Sequence, residues 1–212
     1  MPNSTDTQNF FRSDTLPLCV DLDETLCPVD TLWQHLGQVF FSHPFQAIQA
    51  CLKYPIHRSR SRFKDSLVEI SALDPTGIPV RPELVKYIKN ARASGRLACL
   101  VTAANEDVAR VMAAAHPIFD HVWASGKNLN LKSANKADFL CEKFGEQGYE
   151  YVGDCSADIK VWSRAGSAVV VAPGGKVDAR LLRAIPDLKR LRVSPRVPFL
   201  ALRLIFQRLL NR

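Results

Sequence analysis

Two aspartates one residue apart, Asp21 and Asp23, stand in the segment LCVDLDETLCP at residues 18–28. The apolar residues around Asp21 predict a short buried strand that emerges near these two positions. Alternation along a strand sends both carboxylates to the same side, where their charges repel each other unless a cation lies between them. The pair therefore predicts either an acidic turn or a cation site.

Other side chains capable of chemistry stand where further strands should end. Thr102 follows the apolar run of LACLVTAAN, Asp154 follows YEYVG, Asp158 lies one helical turn later, and Lys136 begins a predicted helix. Ligands of parallel sheets bind beyond the carboxyl ends of the strands, so these side chains should face one crevice. A divalent cation such as Mg²⁺, which prefers oxygen ligands, would relieve the repulsion among the carboxylates.

Short apolar runs alternate with helical patterns after residue 80, which predicts an α/β fold. We expect a Rossmann-like parallel sheet sandwiched by helices, with a small all-helical cap inserted after the first strand. Four units are predicted. A polar N-terminal tail covers residues 1–15, and the catalytic core is formed by residues 16–25 together with 81–175. The cap covers residues 26–80, and a basic helical tail covers residues 176–212.

These motifs, in this order, resemble those of the haloacid dehalogenase superfamily, whose members are mostly phosphohydrolases. The resemblance covers residues 16–175 and rests on Asp21-x-Asp23-x-Thr25, Thr102, Lys136 and Gly153-Asp154-x-x-x-Asp158. An insertion between the first two motifs is similar to the C1-cap subclass. More narrowly, the sequence is similar to the haloacid-dehalogenase-like portion that precedes some integral-membrane prenyltransferases.

The resemblance implies that Asp21 is the nucleophile that forms an aspartyl-phosphate and that Asp23 is the general acid and base. Thr102 and Lys136 would bind the phosphoryl oxygens. Lys132 and Lys127 compete with Lys136 for this role, and we prefer Lys136 because it lies in the first turn of its predicted helix. Dehalogenases of the superfamily lack the second aspartate, so a phosphatase or a phosphomutase is expected.

The resemblance also implies a Mg²⁺ site formed by Asp21, Asp23 through its backbone carbonyl, and Asp154, with Asp158 ordering the other ligands. One position departs from the family pattern, because Glu24 stands where glycine is frequent. The substrate expected is a small phosphorylated metabolite or a lipid-linked phosphate. A non-catalytic protein that binds membranes or nucleic acid on the same scaffold is the third alternative.

The net charge of +7 is concentrated near the C-terminus, because residues 176–212 carry +8 and the rest of the chain −1. Residues 195–212 predict an amphipathic helix that either contacts a membrane surface or packs on protein. Aromatic residues are sparse among these basic ones, which disfavours nucleic acid as a partner. The basic cluster at residues 57–64 is either a solvated helix face or a selector of anionic leaving groups, with Lys64 foremost.

Six scattered cysteines with no C-x-x-C pair favour a reducing compartment, so a cytoplasmic location is expected, with a peripheral position on the inner face of a membrane as the alternative. Neither a signal pattern nor a long apolar run is present in the sequence. Substrate specificity and oligomeric state depend on three-dimensional shape, which these motifs do not encode.

Overall fold

The computed structural model describes residues 15–57 and 60–194. Six parallel strands form one sheet in the order β3-β2-β1-β4-β5-β6. The strands are β1 Leu18–Val20, β2 Ala98–Asn105, β3 His121–Ser125, β4 Glu150–Gly153, β5 Ser167–Pro173 and β6 Lys189–Val193. The predicted Rossmann-like α/β fold is confirmed.

Helices cover both faces of this sheet and fill the long connection between β1 and β2. They are α1 Thr31–Ser42, α2 Pro44–His57, α3 Arg60–Ile70, α4 Pro82–Ala93, α5 Glu106–Ala115, α6 Ala134–Phe144, α7 Ile159–Trp162 and α8 Ala179–Ala184. Several begin at side-chain caps, as the sequence suggests: the Asn105 carboxamide accepts a hydrogen bond of 2.8 Å from the amide of Asp107.

The central strand β1 is buried on both faces, which fits its unbroken apolar sequence. Leu18 and Val20 pack into the apolar cluster under α4 and α5, while Cys19 packs into the opposite cluster with Tyr151 and Trp162. Because β1 is sandwiched between β2 and β4, the residue that follows it emerges at the middle of the sheet edge.

Helices α1, α2 and α3 form the expected all-helical cap between β1 and β2. They share a small apolar core of their own, which contains Leu32, Val39, Ala47, Phe63 and Leu67. The cap therefore has an apolar core of its own beside the carboxyl edge of the sheet, and Val68 of α3 also packs against the main core.

The C-terminal region differs from the basic helical tail expected at 176–212. Residues 179–184 form α8, and residues 189–193 form β6, which pairs in parallel with β5. Leu191 and Val193 pack against the main core, whereas Arg190 and Arg192 are exposed on this edge strand, a common protection against edge pairing. The predicted amphipathic helix at 195–212 lies outside the described residues.

Within residues 15–57 and 60–194, none of the helices combines the length and apolar character needed to cross a bilayer.

Candidate active site

Asp21 lies directly beyond β1, where its amide donates a hydrogen bond of 3.1 Å to the carbonyl of Val152 on β4. Its carboxylate oxygen Oδ1 lies 3.1 Å from Nζ of Lys136, and the two side chains are only 15% and 4% exposed. Among the described residues, no donor makes a hydrogen bond of good geometry to this oxygen. A half-enclosed carboxylate beside one ammonium is therefore available to an incoming electrophile or cation.

Lys136 reaches the crevice from the first turn of α6, as the sequence predicts. Its side chain is buried, whereas Lys132 is exposed at the rim. Nζ of Lys136 donates a hydrogen bond of 2.7 Å to the hydroxyl of Tyr151, in addition to its ion pair with Asp21. The structure thus places Lys136, rather than Lys132, against the aspartate.

Tyr151 is a site residue that the motifs do not reveal. Its hydroxyl donates a hydrogen bond of 2.9 Å to Oδ1 of Asp158 while accepting one from Lys136. Complete burial, together with the charges of Asp158 and Asp21, raises the pKa of this phenol well above its usual value, so the hydroxyl keeps its proton. Tyr151 on β4 and Tyr149, just before this strand, pack into the same apolar cluster, so the sequence signal of Tyr151 is that of a core residue.

Asp158 orders the loop after β4. Its Oδ2 accepts hydrogen bonds from the amides of Asp154 at 3.1 Å and Cys155 at 3.4 Å. A side chain at Gly153 would collide with this carboxylate, which explains the glycine at that position. Burial, followed by the charge of Asp21, raises the pKa of Asp158.

The groups around this loop suit a hard divalent cation. Side-chain ligand atoms of Asp154, Cys155 and Asp158 lie within 4.8 Å of one another. Burial and the neighbouring carboxylates raise the pKa of the Cys155 thiol to about 12, so the thiol is uncharged at neutral pH when no cation is bound. The remaining donors of this group are the carboxylate oxygens of Asp154 and Asp158, and they fit Mg²⁺ better than a thiophilic metal.

Asp23 occupies a different environment from Asp21. Its Oδ1 accepts hydrogen bonds from the amide of Thr31 at 2.7 Å and from its hydroxyl at 2.6 Å, both at the beginning of α1. Burial, followed by repulsion from Asp30, raises the pKa of Asp23 to about 6. The cap helix α1 therefore holds a carboxyl group that exchanges protons near neutral pH, a role for Thr31 that the sequence did not indicate.

The turn that carries Asp23, Leu22–Leu26, is fastened by Arg81 at the start of α4. The buried guanidinium donates to the carbonyls of Thr25 at 3.1 Å, Glu24 at 3.4 Å and Ser194 at 3.2 Å. Glu24 itself has a φ of 57°, in the left-handed region that favours glycine. The departure from the family pattern at this position is thus accommodated in the backbone conformation that glycine would adopt.

Thr102 lies on β2 with its side chain at the crevice, where its hydroxyl accepts a hydrogen bond of 3.0 Å from the amide of Ala104. Beside it, Nζ of Lys64 on α3 donates to the carbonyl of Ala103 at 3.0 Å. Asn105 donates a hydrogen bond of 2.8 Å to Asp65, the next residue of α3. The cap therefore meets the sheet edge at Lys64 and Asp65, which fits the second of the two interpretations left open for the basic cluster as far as Lys64 is concerned. Arg62 is exposed, and the side chains of residues 58 and 60 lie outside the described part.

A cavity of about 540 Å³ opens between the sheet edge and the cap. Every predicted site residue lines it, and most of its other lining residues are polar, although apolar atoms contribute more than half of the exposed wall. The predicted site residues in the wall are Asp21, Asp23, Thr102, Lys136, Asp154 and Asp158, with Lys64 and Asp65 at the cap. One open crevice thus contains several carboxylates, the lysines Lys64, Lys132 and Lys136, and room for a small molecule.

Comparison with known proteins agrees with this geometry at the level of the fold. A phosphoserine phosphatase in a phospho-aspartyl intermediate analogue is 15% identical and covers 92% of this chain and 98% of its own, with a TM-score of 0.55. A haloacid dehalogenase family hydrolase from Salmonella enterica serovar Typhi is 12% identical, covering 84% of this chain and 70% of its own, with a TM-score of 0.59. The chain therefore has the fold of the haloacid dehalogenase family hydrolases.

Sequence comparison identifies a relative of unassigned role. The chain is 35% identical over 176 residues to the uncharacterized protein y4nM of Sinorhizobium fredii, across 83% of this chain. It spans about a third of that relative's length, 34%. No family model matches the chain.

Proposed function

We propose that this protein is a Mg²⁺-dependent phosphatase that hydrolyses a phosphomonoester through an aspartyl-phosphate on Asp21. The observation that supports this most directly is the contrast between two neighbouring carboxyl groups. Asp21 lies beside the Lys136 ammonium, whereas Asp23 is held apart by Thr31 with its pKa raised to about 6. A nucleophile and a separate proton donor need these two different environments.

In the first step an oxygen of Asp21 attacks phosphorus, and the bond from phosphorus to the leaving oxygen breaks. Protonated Asp23 gives its proton to that oxygen, which departs as an alcohol. In the second step Asp23 takes a proton from water as the water oxygen attacks phosphorus, which releases inorganic phosphate and regenerates Asp21. Lys136 and Thr102 lie where they would bind the phosphoryl oxygens during both steps.

Asp21, Asp154 and the backbone at Asp23 would hold Mg²⁺, with Asp158 orienting the loop that carries Asp154. When bound, the cation offsets the negative charge of the phosphoryl group and of the crowded carboxylates. The chain's own contribution is to keep Lys136 and Asp158 in fixed positions through the hydroxyl of Tyr151.

The volume of the cavity, about 540 Å³, favours a small phosphorylated molecule as the substrate, and its wall, in which apolar atoms outweigh polar ones, leaves a lipid-linked phosphate as the alternative. Lys64 and Asp65 line the cavity from the cap, and in this proposal they would contact the leaving group. The phosphomutase alternative uses the same residues and differs in its product, which would be an isomerised phosphate ester with no inorganic phosphate released.

The direct test measures release of inorganic phosphate from p-nitrophenyl phosphate and from a panel of sugar, nucleotide, amino-acid and prenyl phosphates. We expect Mg²⁺-dependent turnover that excess chelator abolishes and that Asp21→Asn eliminates. The matched control is Asp187→Asn, which removes a solvent-exposed carboxylate elsewhere in the α/β domain. This variant should behave as wild type. Wild-type turnover by Asp21→Asn would contradict the covalent mechanism.

A second measurement addresses Asp23. Asp23→Asn should slow hydrolysis of an alkyl phosphate much more than that of p-nitrophenyl phosphate, since a good leaving group needs little protonation. Equal losses on the two substrates would contradict its role as general acid.

A further inference from the structure

Ser194, the residue that directly follows β6, is bonded to the beginning of α4 through all three of its polar groups. Its amide donates a hydrogen bond of 2.8 Å to Oε1 of Glu83, and its hydroxyl donates to the same oxygen. Its carbonyl accepts a hydrogen bond of 3.2 Å from Nη1 of Arg81. Ser194 is exposed, so burial does not impose these contacts, because water could satisfy the same groups.

Glu83 lies in the first turn of α4, where an acidic side chain stabilises a helix without any specific partner. That role accounts for the charge of Glu83 but not for its contacts. Oε1 accepts both donors of Ser194, whereas Oε2 is buried and, among the described residues, accepts no hydrogen bond. A carboxylate that only complemented the helix dipole would keep both oxygens in water, so the contact with Ser194 needs a second explanation.

One guanidinium joins Ser194 to the turn that carries Asp23. Nε of Arg81 donates to the carbonyl of Thr25 at 3.1 Å, and Nη2 donates to that of Glu24 at 3.4 Å. The guanidinium is planar and rigid, and Arg81 is only 3% exposed, so it cannot turn toward one carbonyl without moving away from the others. A displacement of Ser194 is therefore transmitted to this turn.

The turn that carries Asp23 depends on such support because its backbone conformation is unfavourable. Glu24 has a φ of 57°, and a residue other than glycine keeps this conformation only where its surroundings fix it. A proton donor must lie within hydrogen-bond reach of the leaving oxygen, so a small shift of the turn would impair Asp23. Asp21 is less exposed to such a shift, because its amide is bonded to the neighbouring strand β4.

We propose that Glu83 and Ser194 are positioning residues for Asp23 that act through the guanidinium of Arg81. Neither of them lines the crevice, so they act without contact with the substrate. The effect on catalysis rests on the proposed function, whereas the link between the end of β6 and the turn does not. Separation of Ser194 from Glu83 therefore weakens proton donation from a distance.

The kinetic test compares Glu83→Ala with Asp107→Ala in the full chain. Asp107→Ala removes an exposed acid from the first turn of α5 and is the matched control for the helix dipole. We expect Glu83→Ala to lower kcat for an alkyl phosphate about tenfold and kcat for p-nitrophenyl phosphate less than about twofold, with Asp107→Ala as wild type on both. Glu83→Gln keeps an oxygen that accepts from Ser194 and should retain most of the activity. Thermal unfolding checks that each variant is folded.

A double-mutant cycle tests the route through Arg81. Glu83→Ala should have little further effect on the alkyl phosphate once Arg81→Lys is present, because the residue through which it acts is already changed. Ser194→Ala, which removes one of the two donors to Glu83, should give a smaller loss of the same kind. Full additivity of the losses from Glu83→Ala and Arg81→Lys would overturn the proposal.

Hydrogen exchange of the turn provides a measurement that does not require turnover. The amides of Leu26 and Cys27 donate to carbonyls five residues earlier, at 3.2 and 2.9 Å, so their exchange reports opening of the turn. Glu83→Ala should accelerate exchange at these two amides about tenfold, and Asp107→Ala should leave it unchanged.

Two results would overturn the proposal, namely unchanged exchange in Glu83→Ala or equal losses of kcat on the two substrates. Absence of turnover by the wild type would contradict the proposed function alone, because the exchange rates would still show whether Ser194 is linked to the turn.

Discussion

Neighbouring residues of one type acquire different chemistry here through their contacts. Asp21 and Asp23 are separated by one residue, but one faces an ammonium and the other accepts two hydrogen bonds from Thr31 in a desolvated position. The motif spacing predicts that both carboxylates reach the crevice. It does not predict their different environments, because Thr31 and Lys136 reach them only after the cap and α6 have folded against the sheet.

At this scale the sharpest prediction concerns Tyr151. Tyr151→Phe removes the hydroxyl that joins Lys136 to Asp158, so two buried charged groups lose a shared partner. We expect the free energy of unfolding to fall by about 1–3 kcal/mol and phosphate release to fall more than tenfold. Urea unfolding and steady-state kinetics measure the two effects.

Tyr87→Phe is the matched control for Tyr151→Phe. It removes a hydroxyl that donates a hydrogen bond of 2.8 Å to Glu150, at the amino end of β4, opposite the crevice. A comparable loss of stability with unchanged turnover is expected. If both variants lose the same activity, the hydroxyl of Tyr151 has only a structural role.

At the scale of elements, single side chains fasten one segment to another. Arg81 joins the turn after β1 to α4 and to the residue after β6, and Gln38 on α1 exchanges two hydrogen bonds of 2.8 Å with the backbone of Asp74. The sequence predicts the helices and strands from their periodicity. These fastenings join positions up to 113 residues apart, and no local pattern encodes them.

Arg81→Lys should displace the turn that carries Asp23, because one ammonium replaces a planar group bonded to three carbonyls. We expect kcat to fall for an alkyl phosphate and to fall less for p-nitrophenyl phosphate, the same asymmetry as for a change at Asp23. Arg92→Lys, at an exposed ion pair with Asp120, serves as the control. Loss of stability without the asymmetry would limit Arg81 to a structural role.

The cap should become less stable in mild acid because of His35. Its Nε2 lies 2.7 Å from the carbonyl of Ser71, to which the neutral ring donates, and burial lowers the pKa of His35 below its usual 6.5. In mild acid, the imidazole of His35 is therefore protonated in the unfolded cap but remains neutral in the folded cap. Its stability is therefore full above about pH 6.5 and decreases as the pH falls below it.

Limited proteolysis measures this effect on the cap. Cleavage within residues 31–70 should accelerate at pH 5 relative to pH 7.5, and His35→Gln should weaken the pH dependence. His116→Gln, on the core, should leave it unchanged. A cleavage rate independent of pH in wild type would contradict the assignment.

At the scale of the whole molecule, the two ends of the sheet carry opposite kinds of polar group. The carboxyl end holds the incompletely paired carboxylates of the crevice, whereas at the amino end the buried Glu150 contacts Tyr87, Arg96, Ser167 and Lys189. The alternation of strands and helices predicts this sheet. The sequence does not predict the sixth strand, because basic residues dominate it. Edge strands tolerate such charges, whereas central strands do not.

Glu150→Gln leaves the cations at the amino end without their anion. We expect a loss of about 3 kcal/mol, since removal of one partner from a buried pair leaves an uncompensated charge. For a chain of this size the thermal midpoint should fall by roughly 6–12 °C. Differential scanning calorimetry beside the exposed-site control Glu142→Gln measures the shift, and equal midpoints for the two variants would contradict the prediction.

The position of β1 has a consequence for how the protein is made. In the sheet, Cys19 of β1 lies beside Cys99 of β2 on one side and beside Tyr151 of β4 on the other. Both neighbours of the central strand are therefore synthesised long after it. Closing such long loops is slow, because the chain loses its freedom before the contacts form. During synthesis on the ribosome, β1 therefore cannot pair on both sides until residue 153 has emerged. A nascent chain that stops before β4 carries Asp21 without a folded crevice around it.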